Sequence, residues 1–475
     1  MPEGSFAALD YMFHPRWVAV VGASTQDGPG SFVGAIEEMG FSGDLYPVNP
    51  KAEEIAGLRC YPRLSEIPGD VDHVISSVPL RFVEELVEDC GGKHVKTLHF
   101  FTAGFSETGD ADAAALERRV MARAKALGIR VIGPNCMGLY VPASGLSFMP
   151  SLPVEPGPVA LLSQSGANAG EFCRTAAARG LRYSKVVSYG NGADVREAEL
   201  LQYAAEDPDT EVIACYIEGI RDGAHFMRAL RKAAAAEPVI ILKGGRTEEG
   251  TRAVNSHTGS LAGSLEIFDA AVRQAGAMRV DRMEELVDAA VTFRYVRSLA
   301  GSRAGIVGGG GGYSVLASDE VGAAGLQMPA LPTEVQQKLR DFTPTAGTSV
   351  RNPVDTSVGW GPDGLKPMLE TIRIVAASPN IDFILYHTSW SWGAMRAEGP
   401  QITEVAAESG GKLGEVAREA GKPIVCVARI PTSDIGMAGT LAFQAEAAKQ
   451  GLATYSSVQA ASLALQRLLA WQALR

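Results

Sequence analysis

Val18-Ala19-Val20-Val21-Gly22-Ala23-Ser24 is the stretch on which the reading of the fold turns. Four apolar residues run without a polar break into a glycine and two small residues, the pattern of a strand buried on both faces that ends in a tight turn. Strands of that kind belong to parallel sheets, whose crossovers are helices. The text that follows repeats the pattern. Apolar runs at residues 44–48, 73–78, 97–101 and 130–132 each close near a Gly, Pro or Ser turn, and residues 111–127 (ADAAALERRVMARAKAL) read as an intervening helix. Residues 1–150 are therefore expected to form one doubly wound unit.

The Pro- and Ser-rich residues 142–158 read as a connection. Beyond them, strands are expected at 159–163, 183–188, 212–217 and 239–243, with helices at 166–178 and 283–299, as a second unit over 151–300. A third, 301–475, opens with a strand at 303–307, continues with strands at 383–387 and 423–428, and closes on an apolar helix at 457–474. The expected fold class is α/β, with three doubly wound units in series.

A chain of 475 residues is roughly three times the usual domain size, which agrees with that count. Hydrophobic residues make up 46% and charged residues 20%, and the 53 glycines suit many tight strand-to-helix turns. A net charge of -11 argues against nucleic acid or an anionic membrane as the main partner. The six cysteines show no CxxC or metal-ligand spacing, so no metal site or disulfide framework is expected, and a reducing cytoplasm is. The first residues carry Glu3 and Asp10 and no basic lead into an apolar core, which excludes a secretory signal, and no apolar stretch reaches the length of a membrane span.

The first strand of each unit runs into a turn that could hold an anion. These turns are Gly22-Ala23-Ser24, Ser163-Gln164-Ser165-Gly166 and Gly308-Gly309-Gly310-Gly311-Gly312. Small residues let the backbone approach a ligand, and a helix start offers N–H groups to an anion. Each has a plainer reading: a structural turn for the first, an N-cap at Ser165 for the second, a flexible linker for the third. The position of the five glycines between a strand and a helix speaks against the linker. In the first unit Val48, Asn49 and Lys51 follow the second strand, and Ser77-Val78-Pro79, Ala103-Gly104-Phe105 and Asn135 close later ones. All should share the carboxyl edge, where ligands sit in such sheets, and outline one groove. For Lys51 alone, a solvated side chain on a rigid turn is the plainer reading. A full G-x-G-x-x-G is absent, and Asn49 and Lys51 stand where a nicotinamide enzyme would carry an acidic ribose ligand.

His257 lies in Asn255-Ser256-His257-Thr258-Gly259-Ser260-Leu261-Ala262-Gly263, a run of small residues expected to form an exposed loop after Lys243-Gly244-Gly245-Arg246. A partly unprotonated imidazole is a competent nucleophile toward phosphorus. It needs a carboxylate on its other nitrogen, and Glu218, ending the strand at 212–217, is placed by topology to supply one. His14, His73, His94, His99, His225 and His387 read as surface or capped core histidines.

Taken together, GAS, YPVNPK, SQSG, YIEG, LKGGR and SHTGSLAG resemble the nucleoside-diphosphate-forming acyl-CoA synthetase family, related to succinyl-CoA synthetase, over nearly the whole chain. The resemblance implies a Rossmann-like CoA-binding domain followed by two flavodoxin-like domains. It makes His257 the phosphorylated residue and Glu218 its carboxylate, with Ser163, Gln164, Ser165, Gly166, Gly310, Gly311 and Gly312 binding phosphate. Coenzyme A would lie against Gly22, Ala23, Ser24, Val48, Asn49, Lys51, Ser77, Val78, Pro79, Ala103, Gly104, Phe105 and Asn135. Where relatives carry Asn before two glycines, this chain has only Gly, leaving backbone donors for phosphate.

The implied reaction interconverts a small carboxylic acid, CoA and ATP with acyl-CoA, ADP and phosphate, through acyl phosphate and phosphohistidine. The three units use up the sequence, so ATP/ADP and Mg2+ are expected on a separate ATP-grasp β subunit, as in ADP-forming acetyl-CoA synthetase, in an α2β2 or similar hetero-oligomer. A non-catalytic or regulatory CoA-binding protein is the alternative, and the presence of both His257 and Glu218 speaks against it.

Overall fold

The computed structural model describes residues 6–24, 31–257, 264–341, 343, 349–355, 365–391 and 400–475; the side chains of Ala7, Asn255, Ser256, His257 and Pro400 are not described. The chain divides into two compact units, one of residues 1–177 and 182–286, the other of residues 178–181 and 287–475.

The first unit holds two sheets. The first is laid down by β1 (Trp17–Val21), α1 (Phe32–Glu38), β2 (Asp44–Val48), a small hairpin of β3 (Glu54–Ile55) and β4 (Leu58–Arg59), β5 (His73–Ser76), α2 (Val83–Gly92), β6 (Thr97–Phe100), α3 (Ala111–Ala126) and β7 (Arg130–Ile132). The second comprises β8 (Gly138–Tyr140), β9 (Pro156–Ser163), α4 (Gly166–Ala178), β10 (Tyr183–Ser188), α5 (Glu197–Glu206), β11 (Val212–Ile217), α6 (Gly223–Ala236), β12 (Val239–Lys243), α7 (Glu248–His257), α8 (Leu265–Gln274) and β13 (Met278–Val280), after which α9 (Met283–Tyr295) begins in this unit and passes into the other at Val287. The third sheet, in the other unit, has β14 (Ala304–Gly308), α10 (Gly311–Ala323), α11 (Thr333–Arg340), β15 (Ser349–Val350), β16 (Val354–Asp355), α12 (Lys366–Ala376), β17 (Phe383–Thr388), α13 (Pro400–Ala420), β18 (Ile424–Ala428), α14 (Asp434–Lys449), β19 (Thr454–Tyr455) and α15 (Val458–Gln472).

The three sheets share one order. They run β2-β1-β5-β6-β7, then β10-β9-β11-β12-β13 with β8 beside β10, then β16-β14-β17-β18-β19 with β15 beside β16. Apart from the antiparallel β8 and β15, the pairings are parallel. In each sheet the first of the parallel strands (β1, β9 and β14) lies between the next two of them, so the direction of winding reverses beside it. A doubly wound sheet binds ligands at that reversal, outside the carboxyl ends of its strands. The three turns read as anion sites therefore stand at the three reversal points.

The apolar runs explain the strands. In β1, Val18, Ala19 and Val20 are fully buried, and in β12 Val239, Ile240 and Ile241 are, because helices cover both faces of a parallel sheet. Three expectations change. Gly138–Tyr140, given above to the first unit and before the connection at 142–158, pairs with β10 as an antiparallel edge of the second sheet. Helix α10 takes in Gly311 and Gly312, residues given above to the turn. Helix α7 runs to His257, in a stretch expected to be a loop; Glu248 and Glu249 in its first turn favour a helix start there. Thr258 to Gly263 lie outside the described residues.

Candidate functional site

At the carboxyl edge of the second sheet, β9 ends in Ser163 and the chain turns into α4. The turn is held from within: Ser163 Oγ accepts the Ser165 N–H at 3.1 Å and donates to the Ser165 carbonyl at 2.7 Å. Ser165 Oγ accepts the Asn168 N–H at 3.3 Å, so it caps α4. A methyl on Gly166 would come within 2.4 Å of Met137 Cγ, so only glycine fits at the helix start. What the turn offers a ligand is the first N–H groups of α4, which have no intrahelical acceptor.

Gln164 reaches sideways. Its Oε1 accepts the N–H of Glu218 and, at 2.9 Å, that of Gly219, just past β11. Glu218 is 4% exposed, and its Oε1 accepts the Tyr216 hydroxyl at 3.1 Å. Burial, with the Glu218 carboxylate adding to it, pushes the Tyr216 phenol well above its ordinary range, so it stays a donor. From the neighbouring strand end, Lys243 Nζ donates to the Glu218 carbonyl at 2.6 Å and to the Gly244 carbonyl. Burial lowers the Lys243 pKa, and the Glu218 charge opposes the shift. A Cβ on Gly244 would lie 2.7 Å from the Tyr216 hydroxyl and 3.2 Å from Glu218 Cγ, so this glycine makes room for the carboxylate arm. Gly244 and Gly245 lead from β12 toward α7, whose last residue is His257.

The groove of the first sheet is built as tightly. Gly22 has φ +82° and a Cβ there would stand 2.9 Å from the Ser77 carbonyl carbon, so the turns after β1 and β5 touch backbone to backbone. The N–H groups of Gly22 and Ala23 both go to the Val48 carbonyl. Asn49 Nδ2 donates to the Ala23 carbonyl at 2.9 Å and its Oδ1 accepts the Lys51 N–H at 2.9 Å, so the Asn49 amide is committed to shaping the groove. Lys51 is exposed at the edge. Thr102 Oγ1 donates to the Val78 carbonyl at 2.8 Å.

Phe105 lies in the core at 0% exposure, its ring 5.9 Å from that of Phe100, and its N–H, like that of Gly104, is bonded to Glu107 Oε1. Asn191, after β10, donates to Glu107 Oε2 at 2.6 Å and to Glu117 Oε2 at 3.2 Å, while its Oδ1 accepts the Asn135 amide at 3.5 Å. A residue of the second sheet's loop thus braces two parts of the first sheet's groove, and the 106–108 turn that carries Glu107 also packs on α7.

In the other unit, Gly308 packs on His387: a Cβ there would lie 2.1 Å from the ring. Burial, reinforced by the Arg429 charge, holds the His387 imidazole down to about 4. The Gly310 N–H is bonded to Asp355 Oδ1 at 2.9 Å, which commits one backbone donor of the glycine run.

Sequence reasoning named Ser163, Gln164, Ser165 and Gly166 as one turn and Glu218 apart from it, and the structure gathers them within two adjacent strand ends. It quoted Tyr216 and Lys243 inside YIEG and LKGGR without giving either a role, and it passed over Asn191, Glu107 and Asp355. Lys243 had a readable signal, a charge closing the apolar strand Val239-Ile240-Ile241-Leu242 beside two glycines; the others did not. No cluster of metal-ligating side chains occurs among the described residues, and none of their helices is long and apolar enough to cross a membrane.

The geometry defines a class: an α/β chain of three doubly wound sheets, with tightly packed turns at the carboxyl edge of the first and a buried, held carboxylate beside a helix start on the second. Three family models match in that order: a CoA binding domain over residues 16–142, a succinyl-CoA ligase like flavodoxin domain over 156–293 and a Ligase-CoA domain over 304–447. The chain is 37% identical over 381 residues to the acetate–CoA ligase [ADP-forming] II subunit alpha of Pyrococcus furiosus, covering 79% of this chain and 81% of that one. It is 38% identical to the acetate–CoA ligase [ADP-forming] I of Archaeoglobus fulgidus, of whose length it spans about half, 54%. Among solved structures, the dinucleotide forming acetyl-coenzyme A synthetase 1 of Ca. Korarchaeum cryptofilum, in complex with phosphate and ADP, matches with a TM-score of 0.80 and 31% identity, covering 98% of this chain and 97% of that one. The chain belongs to the ADP-forming acyl-CoA ligase family, and its Pyrococcus relatives are named as alpha subunits.

Proposed function

We propose that this chain is the α-type subunit of an ADP-forming acyl-CoA ligase, interconverting a carboxylic acid, CoA and ATP with acyl-CoA, ADP and phosphate. The observation that carries the reading is the Glu218 carboxylate, buried and gripped at the carboxyl edge beside the α4 start, on the strand next to the one that leads into α7 and His257. In our reading the domains divide at 1–150, 151–300 and 301–475. The first binds CoA along Gly22 to Ser24, Val48 to Lys51, Ser77 to Pro79, Ala103 to Phe105 and Asn135, with backbone and edge positions serving where side chains are committed inside. Ser163 to Gly166 and Gly310 to Gly312 are phosphate-binding turns.

The reaction runs as a relay. Inorganic phosphate attacks the acyl carbon of acyl-CoA and expels the CoA thiolate, giving acyl phosphate. His257 then attacks phosphorus and expels the carboxylate, while Glu218 holds the proton-bearing ring nitrogen and the α4 N–H groups take up the charge that develops on the phosphoryl oxygens. The phosphoryl group passes to ADP, with Mg2+, on an ATP-grasp β subunit, in a cytoplasmic α2β2 or similar assembly; the alpha-subunit names of the Pyrococcus relatives support a second chain. A binding or regulatory protein would not need the grip on Glu218. Relatives named for acetate, 4-hydroxybutyrate and trans-feruloyl-CoA suggest the acids to screen.

Incubation with radiolabelled inorganic phosphate and acetyl-CoA, 4-hydroxybutyryl-CoA or feruloyl-CoA is expected to leave acid-labile phosphate on the chain, and none on His257→Ala. Equal label on that variant overturns the assignment.

A further inference from the structure

We infer that Lys243 is a positioning residue for this reaction: with Gln164, its buried ammonium grips the Glu218 peptide from two neighbouring strand ends and fixes where the carboxylate stands. The inference rests on the roles proposed for His257 and Glu218.

Lysine is seldom fully buried, because its charge is costly to remove from water. Lys243 is 3% exposed and ends an apolar strand, and among the described residues no carboxylate forms an ion pair with it. Its charge is met by the carbonyls of Glu218 and Gly244 and by the Phe268 ring, whose centroid is 5.7 Å from Nζ. Those carbonyls end β11 and begin the turn toward α7. On the opposite side, Gln164 Oε1 takes the N–H groups of Glu218 and Gly219. Both polar groups of residue 218 are thus held by side chains, and Gly244 leaves its arm a path to the Tyr216 hydroxyl. A Met at 243 would leave two carbonyls without their donor and the carboxylate without a fixed base. Partners one step behind a metal ligand matter by about 10- to 100-fold, and a loss of that order is expected for this partner of a reacting group.

The test is the rate at which phosphate and acetyl-CoA, or whichever acyl-CoA labels the wild type, phosphorylate the full chain. Lys243→Met is expected to be slower by about 10- to 100-fold, with half-saturating phosphate and CoA affinity unchanged. Wild-type labelling in Lys243→Met overturns the inference while leaving His257 in place. If Lys243→Met loses CoA binding, Lys243→Gln carries the test, since its neutral amide is a milder change than an apolar group but ends one bond short of Nζ and so loosens the grip on the two carbonyls: slower labelling at unchanged half-saturation and CoA affinity supports the role, while a wild-type rate, or CoA binding lost in step with labelling, overturns it. Label that survives His257→Ala removes the functional reading, and this inference falls with it.

Discussion

Buried polar side chains in this protein differ in what meets them: the Glu218 carboxylate accepts the Tyr216 hydroxyl, whereas two histidines lie buried within strands of the first sheet. His73 and His99 are each 1% exposed, with ring centroids 6.4 Å apart. His99 Nε2 donates to the Cys136 carbonyl at 3.1 Å, which assigns its tautomer when neutral. Burial holds His73 down to about 3, with His99 adding to the effect, and holds His99 down to about 4. Both are therefore neutral in the folded chain at neutral pH. Because the folded values lie below the unfolded one, their stabilising effect is complete above about pH 6.5 and is lost as pH falls toward the folded values. Hydrogen exchange at the β5 and β6 amides should speed up as pH drops from 6.5 to 4, after correction for intrinsic rates, with up to about 1.4 kcal/mol lost per pH unit per histidine. A flat profile would mean that these rings are protonated in the fold. The sequence reading of these two as capped core histidines was open to a surface alternative, because one imidazole on an apolar strand looks the same in either place.

At the level of elements, the three strand-turn-helix passages at Gly22, Ser163 and Gly308 were legible because the signal is local: an apolar run, small residues, then a helix. The cross-links between such passages were not. Asn191 lies in a loop of the second sheet yet donates to Glu107 and Glu117, both nearly buried in elements of the first. Nothing around Gly190-Asn191-Gly192 in the sequence points to carboxylates more than seventy residues away. Asn191→Ala removes an amide from two buried acceptors, and hydrogen bonds to charged groups contribute about 1.5–3 kcal/mol. The full-chain urea midpoint should fall accordingly, and CoA affinity with it, since Glu107 holds the Gly104 and Phe105 N–H groups. An unchanged midpoint would show that this brace adds nothing. Strands β8 and β15 were missed for a related reason. Both are short antiparallel edges, and they exist only because a neighbour's edge is there to pair with.

For the molecule as a whole, the proposed function has three similar sheets divide the labour of one reaction and leaves the ATP-dependent step to a further module. On that reading, ATP with Mg2+ should label His257 only when the ATP-grasp subunit is added, whereas acyl-CoA and phosphate should label it without that subunit. ATP-dependent labelling of this chain alone would overturn the division. The sequence by itself determined the class of fold and the three reversal-point turns, and it led to the proposed pairing of His257 with Glu218, because apolar periodicity, glycine placement and short motifs are properties of neighbours along the chain. Only the tertiary structure decided how Glu218 is held: Tyr216 and Gly244 bound its arm, Gln164 and Lys243 its backbone. Those contacts join residues from three different strand ends, and hydrogen bonds across strands depend on register, which no single stretch of sequence carries.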